Sequence, residues 1–269
     1  MRFFKGKLTL VVFALCGPLV VIGADVEAAR VAELGYVEGH VMLHDAATKK
    51  LAAVSAGQTL GWGQAVITGD ASRFEVRPVK GGGRWRVGRR AVFALKDGGA
   101  RLLAGTALAQ VPAGAVWRIE SLRSVAALPA GSWIVQAVDN RGLKILCLDG
   151  GAEPVLAWGD PLVPGKTAME GVRLKPGELS FLQPEGKVFS PIATIFLEET
   201  LSTSRLVNGF PEPLPGMPRL TNQAVAQRER LSKLTNAVIV GATQAGSFQV
   251  AVPNPPKPDA SEPPKEKAK

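Results

Sequence analysis

The chain has few residues that form covalent or metal cross-links. It contains two cysteines and two histidines in 269 residues. Cys16 lies in an apolar N-terminal stretch, so Cys147 is the one thiol after it and has no partner for an internal disulfide. Cys147 stands in a strand-like run between two leucines, where a buried and unreactive thiol is expected. The stability of the fold must therefore come from an apolar core.

The two histidines give weak support for a metal centre. His40 and His44 would share one face of a strand, and Asp45 could join them as a third ligand. Without a cluster of Cys or Glu, solvated or packed histidines are the better interpretation. The acids are scattered, and no nucleophile–base pattern is present. We predict no catalytic residues, no metal and no cofactor.

Only one stretch of the chain is a long apolar run. It extends from Leu8 to Ile22 and follows the basic residues Arg2, Lys5 and Lys7, which together are typical of a secretory signal peptide over residues 1–24. Removal of these three cations lowers the net charge from +9 to +6. We therefore expect an exported protein, periplasmic or extracellular.

The alternative to a cleaved signal peptide is an N-terminal segment that stays uncleaved as a membrane anchor. Residues 8–24 number 17, which is the lower limit for crossing a bilayer. Gly17 and Pro18 interrupt the segment, and cleavage is favoured.

The composition excludes a disordered chain and a mainly helical one. Hydrophobic residues make up 46%, with 30 glycines and 20 prolines, which fits a packed core with many tight turns. Residues 127–150 show this pattern most clearly. Two apolar runs, 133–138 and 143–148, are joined by Asp-Asn-Arg-Gly, and Gly131 and Gly150 stand at their outer ends. This pattern predicts a β-hairpin.

Short apolar runs that end at glycine recur through most of the chain. Leu102 with Gly105 and Leu128 with Gly131 are examples, although the spacing between the glycines is irregular. The pattern predicts a mainly β fold, a solenoid-like or double-layered domain of short strands, with a C-terminal pair of α-helices.

Several of these segments, in this order, resemble the FecR domain. The opening segments are Gly39-His40-Val41, residues 56–60 (AGQTL) and residues 67–76 (ITGDASRFEV). Residues 102–105 (LLAG), 128–135 with Gly131-Ser132-Trp133, and 146–150 resemble the later segments of that family. The resemblance covers roughly residues 36–185.

The resemblance implies an envelope-side, all-β module that binds or senses a partner and has no catalytic residues. The best-known members are anti-sigma regulators with a cytoplasmic N-terminal domain and one membrane span, for which this chain has no room before its signal peptide. Ser132 and Trp133 stand where the family prefers Thr and Phe.

The pattern changes to helical after residue 189. Ser190 and Pro191 predict a helix start and Gly209 a helix stop, and a second helix is predicted by an apolar stripe from Leu220 to Val238. The two helices are expected to cover an open sheet edge, or alternatively to grip a partner helix. The predicted divisions are 25–35 (linker or first strand), 36–189 (FecR-like β domain), 190–252 (helical pair with linker and short strand) and 253–269 (disordered Pro/Lys-rich tail).

A basic stretch with a tryptophan is the candidate binding site. It could meet an anionic polymer, an acidic protein or anionic lipid head groups, or it could be an edge hairpin whose charges prevent edge-to-edge pairing. No motif supports nucleic-acid binding. The candidate residues are Lys80, Arg84, Trp85, Arg86, Arg89 and Arg90.

These observations predict a secreted, non-catalytic binding or scaffolding module of the bacterial envelope. Its expected partner is an envelope protein or an anionic polymer, with peripheral membrane contact as a further possibility. One alternative is a polysaccharide-active enzyme on a β-solenoid scaffold, which requires paired carboxylates along a groove. Another is an envelope sensor in sigma-factor signalling, which requires residues 1–24 to stay as an anchor.

Overall fold

The structure is a computed structural model. It describes residues 31–138, 142–150, 152–158, 170–184, 188–233, 237–240 and 250–253. The predicted signal peptide and nearly all of the predicted disordered tail lie outside the described residues.

The described chain is mainly β with helices near its C-terminal end, as predicted. The strands, in chain order, are β1 (Ala32–Glu38), β2 (Val41–Asp45), β3 (Lys50–Ala53), β4 (Thr59–Leu60), β5 (Gln64–Thr68), β6 (Arg73–Pro78), β7 (Arg84–Val87), β8 (Val92–Lys96), β9 (Gly99–Val111), β10 (Trp117–Glu120), β11 (Val125–Leu128), β12 (Gly131–Val138), β13 (Gly142–Asp149), β14 (Val155–Trp158), β15 (Glu170–Val172), β16 (Glu178–Leu182), β17 (Ala193–Ile195), β18 (Ala237–Val240) and β19 (Val250–Pro253).

The strands form two layers, which confirms the predicted double-layered arrangement. One layer, named here the helix-covered sheet, has the spatial order β4-β1-β6-β7-β9-β12-β13-β16-β17-β19-β18. The other, the open sheet, has the order β3-β2-β5-β8-β9-β10-β11-β14-β15. Neighbouring strands are antiparallel except β9 and β10, which are parallel.

The main core lies between the two sheets. Trp85 of the helix-covered sheet stacks on Trp117 of the open sheet, with ring centroids 5.1 Å apart. Phe93 of the open sheet packs edge-on against Phe74 across the same space, at 5.8 Å. Alternate residues of each strand supply this core because successive side chains of a strand point to opposite faces.

Strand β9 belongs to both sheets. Its first half pairs with β8 and β10 in the open sheet, and its second half pairs with β7 and β12 in the helix-covered sheet. The change occurs at Gly105, where φ is +84° and an added Cβ would lie 2.6 Å from the Cα of Ala91. Only glycine fits this bend, as the recurring apolar–glycine pattern predicted.

The hairpin predicted over residues 127–150 is confirmed. It consists of β12 and β13, which pair from Ser132 with Asp149 to Val138 with Gly142. Gly131 and Gly150 adopt positive φ at its outer ends. Cys147 lies on the core face and is fully buried, as expected.

The described residues between β17 and β18 form three helices: α1 (Leu197–Thr203), α2 (Arg205–Asn208) and α3 (Met217–Ser232). The predicted first helix begins too early, because α1 starts after β17 and not at Pro191. The Ser190 hydroxyl does not cap a helix but accepts a hydrogen bond from the Phe181 N–H at 3.0 Å, which holds residue 190 against β16.

The helices pack on the outer face of the helix-covered sheet and not on a sheet edge. Leu220, Ala224 and Leu231 of α3 are buried, so this part of the predicted apolar stripe is used within the chain itself. The predicted second helix extends too far, because α3 ends at Ser232 and Val238 pairs with Val252 in strand β18. Leu108, Ile134 and other residues from the outer face of that sheet complete this second core. The outer face of the open sheet has no such helical layer among the described residues.

Candidate functional site

A buried ion pair lies between the helix-covered sheet and residues 206–212, which include the end of α2 and the segment after it. Glu75 and Arg86 face each other on β6 and β7, in register. Their flanking residues Phe74, Trp85 and Val87 fill the main core, so strand alternation directs both charged side chains toward the helical layer. Arg86 Nε donates to Glu75 Oε2 at 2.9 Å, and both residues are at most 1% exposed.

The remaining guanidinium donors of Arg86 bind main-chain carbonyls of the helical segment. Nη1 donates to the Val207 oxygen at 2.9 Å and lies 3.4 Å from the Leu206 oxygen, and Nη2 donates to the Glu212 oxygen. The Arg86 guanidinium also lies 4.5 Å from the centre of the Phe210 ring. One side chain therefore fixes residues 206–212 to the sheet, using the planar fork of donors that only arginine has.

The charges of this pair are stable at neutral pH. Burial acts to raise the pKa of the Glu75 carboxyl, but hydrogen bonds from Arg86 and Arg77 outweigh it and hold that pKa below its ordinary value. Burial lowers the pKa of Arg86, and Glu75 opposes this shift. Arginine titrates far above neutral pH, so the guanidinium keeps its charge.

Three charged side chains continue this network to the surface. Arg77 Nη2 lies 2.7 Å from Glu75 Oε1 and 2.8 Å from Glu212 Oε2. Arg84 Nη1 lies 3.4 Å from Glu75 and 3.2 Å from Glu212. Hydrogen bonds from Arg77 and Arg84 lower the pKa of the Glu212 carboxyl as well. The Glu75 and Glu212 carboxylates are therefore each ion-paired with at least two arginines.

This arrangement does not match acid–base catalysis. A general acid needs a carboxyl whose pKa is raised toward neutral, and both carboxyls here have lowered pKa values. Glu75 is also closed off from a substrate by the helical layer. The network can hold the helical layer in place, and that is the role we assign to it.

A second polar contact holds α3 against the sheet. The Gln227 side chain accepts from the Leu197 N–H at 2.8 Å and donates to the Ile195 oxygen at 2.9 Å. It lies over Gly177, where an added Cβ would meet its Nε2 at 1.9 Å. One residue of α3 therefore binds both a backbone N–H in the first turn of α1 and the carbonyl of the last residue of β17.

The structure separates the six residues of the predicted basic site. Trp85 and Arg86 are fully buried, and Arg84 is mostly buried and ion-paired, so these three do not face an external partner. Their burial has a simple reason: β7 is an interior strand between β6 and β9, not an edge hairpin. The alternative explanation for the charges, protection of a sheet edge, therefore does not apply.

The other three basic residues are at opposite ends of β7. Lys80 is exposed in the loop before the strand, and Arg89 and Arg90 are exposed after it. Arg90 is ion-paired with Asp70. No single surface contains all three.

Lys80 belongs to a group of loops at one end of the sandwich, named here the loop end. It comprises residues 46–49, 61–63, 79–83, 97–98 and 112–116. Leu60, Val31 and Val79 are joined by successive backbone hydrogen bonds, which places loop 61–63 beside loop 79–83. Gly83 abuts Gln110 and Trp117, which places loop 79–83 beside loop 112–116. In the open sheet, Asp45 pairs with Gln64, which places loop 46–49 beside loop 61–63.

The loop end exposes large apolar side chains that sequence reasoning missed. Trp62, Val79 and Val116 are 50%, 59% and 54% exposed. They are far apart in the sequence, and only strand pairing brings them to one end. A tryptophan between two glycines, Gly61 and Gly63, was the one local signal that the side chain could be presented on a turn.

Other candidate chemistry is limited in the described residues. They hold no group of three or more His, Cys, Asp or Glu residues placed to bind a metal. Burial raises the pKa of the Cys147 thiol far above its ordinary value, which keeps it protonated and unreactive. A shallow groove of about 390 Å³ lies between α1 and α3, and the ion pair of Glu198 and Arg228 lines it.

No protein-family model, curated protein or solved structure matches this chain. No helix in the described part of the chain is long and apolar enough to cross a membrane.

Proposed function

We propose that this chain is an exported, non-catalytic binding module of the bacterial envelope, with a β body of the FecR type. In this proposal the double-layered β domain is a rigid support, and the loop end makes the contact with the partner. The partner class is an envelope component that offers anionic and apolar groups.

The observation that carries this proposal is the contrast between the two charged regions of the molecule. The carboxylates and arginines around Glu75 form ion pairs with one another, and Arg86 also donates to main-chain carbonyls of the helical layer. The loop end, by contrast, presents an exposed tryptophan, two exposed valines and exposed lysines to solvent. Exposed apolar groups that cluster on a soluble domain are typical of an interaction surface.

The resemblance in the order of segments over residues 36–185 supports the family part of the proposal. Its expected envelope location agrees with the predicted signal peptide, and its expected β architecture agrees with the two sheets. The net charge of +6 that remains after removal of residues 1–24 supports an anionic partner, because it favours encounter with negatively charged surfaces.

The test is retention of envelope material by the immobilised protein. Three fractions are passed over it separately: soluble envelope polymers, envelope membranes and detergent-solubilised envelope proteins. We expect one fraction to be retained by the natural chain, lost when Trp62, Val79 and Val116 are all changed to Ser, and kept by Leu122→Ser. Leu122 is the matched control because it is exposed at the opposite end of the open sheet. Retention of no fraction, or equal retention by all three proteins, overturns the proposal.

A further inference from the structure

The apolar residues of the loop end are at the tips of separate loops. Trp62 lies between β4 and β5, Val79 between β6 and β7, and Val116 between β9 and β10. The loop of Trp62 connects a strand of the helix-covered sheet to a strand of the open sheet. The loop of Val116 follows β9, the strand that both sheets share. The three side chains therefore spread over the thickness of the sandwich, which is about 10 Å between sheets.

This distribution forms a set of projecting tips and not a groove. Trp62, Val79 and Val116 are each at least half exposed, while Leu60 and Trp117, which lie at the strand ends next to Trp62 and Val116 in the chain, are buried. A protein ligand normally fills a concave or flat apolar area with matching shape. Separate apolar tips on a rigid body are better suited to a soft apolar phase that closes around each of them.

Exposed lysines flank these tips. Lys49 ends the turn between β2 and β3, Lys50 is the first residue of β3 beside it, and Lys80 follows Val79 directly. Three acidic residues lie in or beside these loops, and one of them is Glu33, which is exposed and pairs with Thr59. Asp97 is exposed, and the Asp45 carboxylate is occupied by the backbone N–H groups of Ala47 and Thr48, at 2.9 and 3.2 Å. The loop end is therefore apolar at its tips and basic at its flanks.

A bilayer surface offers the complement of this pattern. Tryptophan favours the interfacial region, where its apolar ring and its N–H group are both satisfied. Lysine stems extend along the interface while their ammonium groups reach lipid phosphates. Anionic head groups attract basic residues that lie within a Debye length.

We infer that the loop end docks peripherally on a bilayer containing anionic lipids, with Trp62, Val79 and Val116 entering the interfacial region and Lys49, Lys50 and Lys80 contacting the head groups. This inference rests on the proposed function, since it names the partner of the same surface. A soluble anionic polymer would engage the lysines but leave the apolar tips in water, and for this reason we favour the bilayer.

The first experiment measures vesicle binding by sedimentation. The protein is recovered after export, and its N-terminus is sequenced to establish that residues 8–22 are absent. We expect it to bind vesicles of phosphatidylglycerol and phosphatidylcholine, and to bind vesicles of phosphatidylcholine alone much more weakly. Trp62→Ser, Val79→Ser and Val116→Ser combined should lower the partition coefficient about a hundredfold. Lys80→Gln should lower it about fivefold, and only on the anionic vesicles.

The second experiment locates the contact within the protein and does not depend on removal of the N-terminal segment. Vesicles made with lipids brominated near the head group quench tryptophans that enter the interface. The experiment uses a Trp158→Phe background, in which the tryptophans other than Trp62 are Trp85, Trp117 and Trp133, all of them buried. Quenching should therefore be lost when Trp62→Phe is added. Leu122→Ser and Arg89→Gln are matched controls from the other end of the molecule, and both should keep full binding and full quenching.

The outcomes separate the inference from the proposed function. Retention of a soluble polymer or an envelope protein without vesicle binding overturns the inference and leaves the proposed function in place. Vesicle binding that Leu122→Ser or Arg89→Gln weakens as much as the loop-end variants also overturns the inference. If the natural chain binds no vesicles and retains no envelope fraction, both the inference and the proposed function are overturned.

Discussion

Arg86 Nε and Glu75 Oε2 are 2.9 Å apart in an environment where neither residue has appreciable contact with water. The pair lies between a sheet and the segment that covers it, so it joins two parts of the chain that are over 100 residues apart. Arg86 also binds the Val207 and Glu212 carbonyls, which makes it the main polar link between the β body and the helical layer.

Removal of one charge from this pair should be strongly destabilising. Glu75→Gln leaves the Arg86 cation buried without its counter-charge, and we expect a loss of about 3–5 kcal/mol in the free energy of unfolding. Urea unfolding followed by circular dichroism measures this loss. Glu229→Gln, on the exposed side of α3, is the control and should change stability by less than about 0.5 kcal/mol. Equal effects of the two variants would contradict the assigned role.

The same pair predicts a loss of stability in acid. Because the folded pKa of Glu75 lies below its ordinary value of 4.5, the unfolded chain binds a proton more readily than the folded chain does. The contribution of Glu75 is therefore complete above about pH 4.5 and is lost as the pH falls through the lower folded pKa. Unfolding free energies measured from pH 6 to pH 3 should fall more steeply for the natural chain than for Glu75→Gln.

Gln227 and Gly177 provide a test of how α3 is held. Gly177→Ala places a methyl group where the Gln227 amide lies, and φ is +81° there, so the substitution is doubly unfavourable. Gln227→Leu removes the partners of the Leu197 N–H and the Ile195 carbonyl, which should cost about 1–3 kcal/mol for each buried group. Hydrogen exchange should show faster exchange in α1 and α3 of both variants. Gly57→Ala, at an exposed turn with positive φ and open space around it, separates the strain of φ from the displacement of Gln227.

Lys144 predicts a rise of stability in alkaline solution. Burial lowers the pKa of its amine from 10.5 to about 8. Between these values the unfolded chain carries a proton on Lys144 that the folded chain has lost, so the free energy of unfolding increases with pH across this window. Lys144→Met should remove this part of the pH dependence, and Lys175→Met, at an exposed position, should not. If the free energy of unfolding changes with pH in the same way for all three proteins from pH 7.5 to 10.5, the assignment of this effect to Lys144 is contradicted.

Cys147 should be protected from thiol reagents while the chain is folded. Its side chain is fully buried and its pKa is raised, so the reactive thiolate is nearly absent. In a Cys16→Ser background, an aromatic disulfide reagent should label less than one tenth of the protein in native buffer and one equivalent in urea. Rapid labelling in native buffer would show that the core around β13 opens readily.

Local features of the sequence predicted the parts of the fold that depend on neighbouring residues. The β12–β13 hairpin was found because its turn and its two apolar runs lie within 24 residues. The bend at Gly105 was found because a glycine follows a strand-like run. The start of the first helix was wrong because Ser190 and Pro191 carry a strong local signal, which a contact with β16 outweighs.

Contacts between distant residues could not be predicted in this way. The basic stretch has five cations within eleven residues, from Lys80 to Arg90, and this local pattern predicts an exposed surface. Its middle is buried because β9, Glu75 and the segment 206–212 surround it, and none of these is marked in the local pattern. The loop end is likewise assembled from five loops, and its apolar tips become a group only through strand pairing.

The sharing of β9 between the two sheets has a consequence for how the domain comes apart. Neither sheet can unfold while the other remains intact, because loss of β9 removes an interior strand from both sheets. Partial opening is therefore confined to the periphery, and global denaturation should proceed as one concerted event despite the size of the domain.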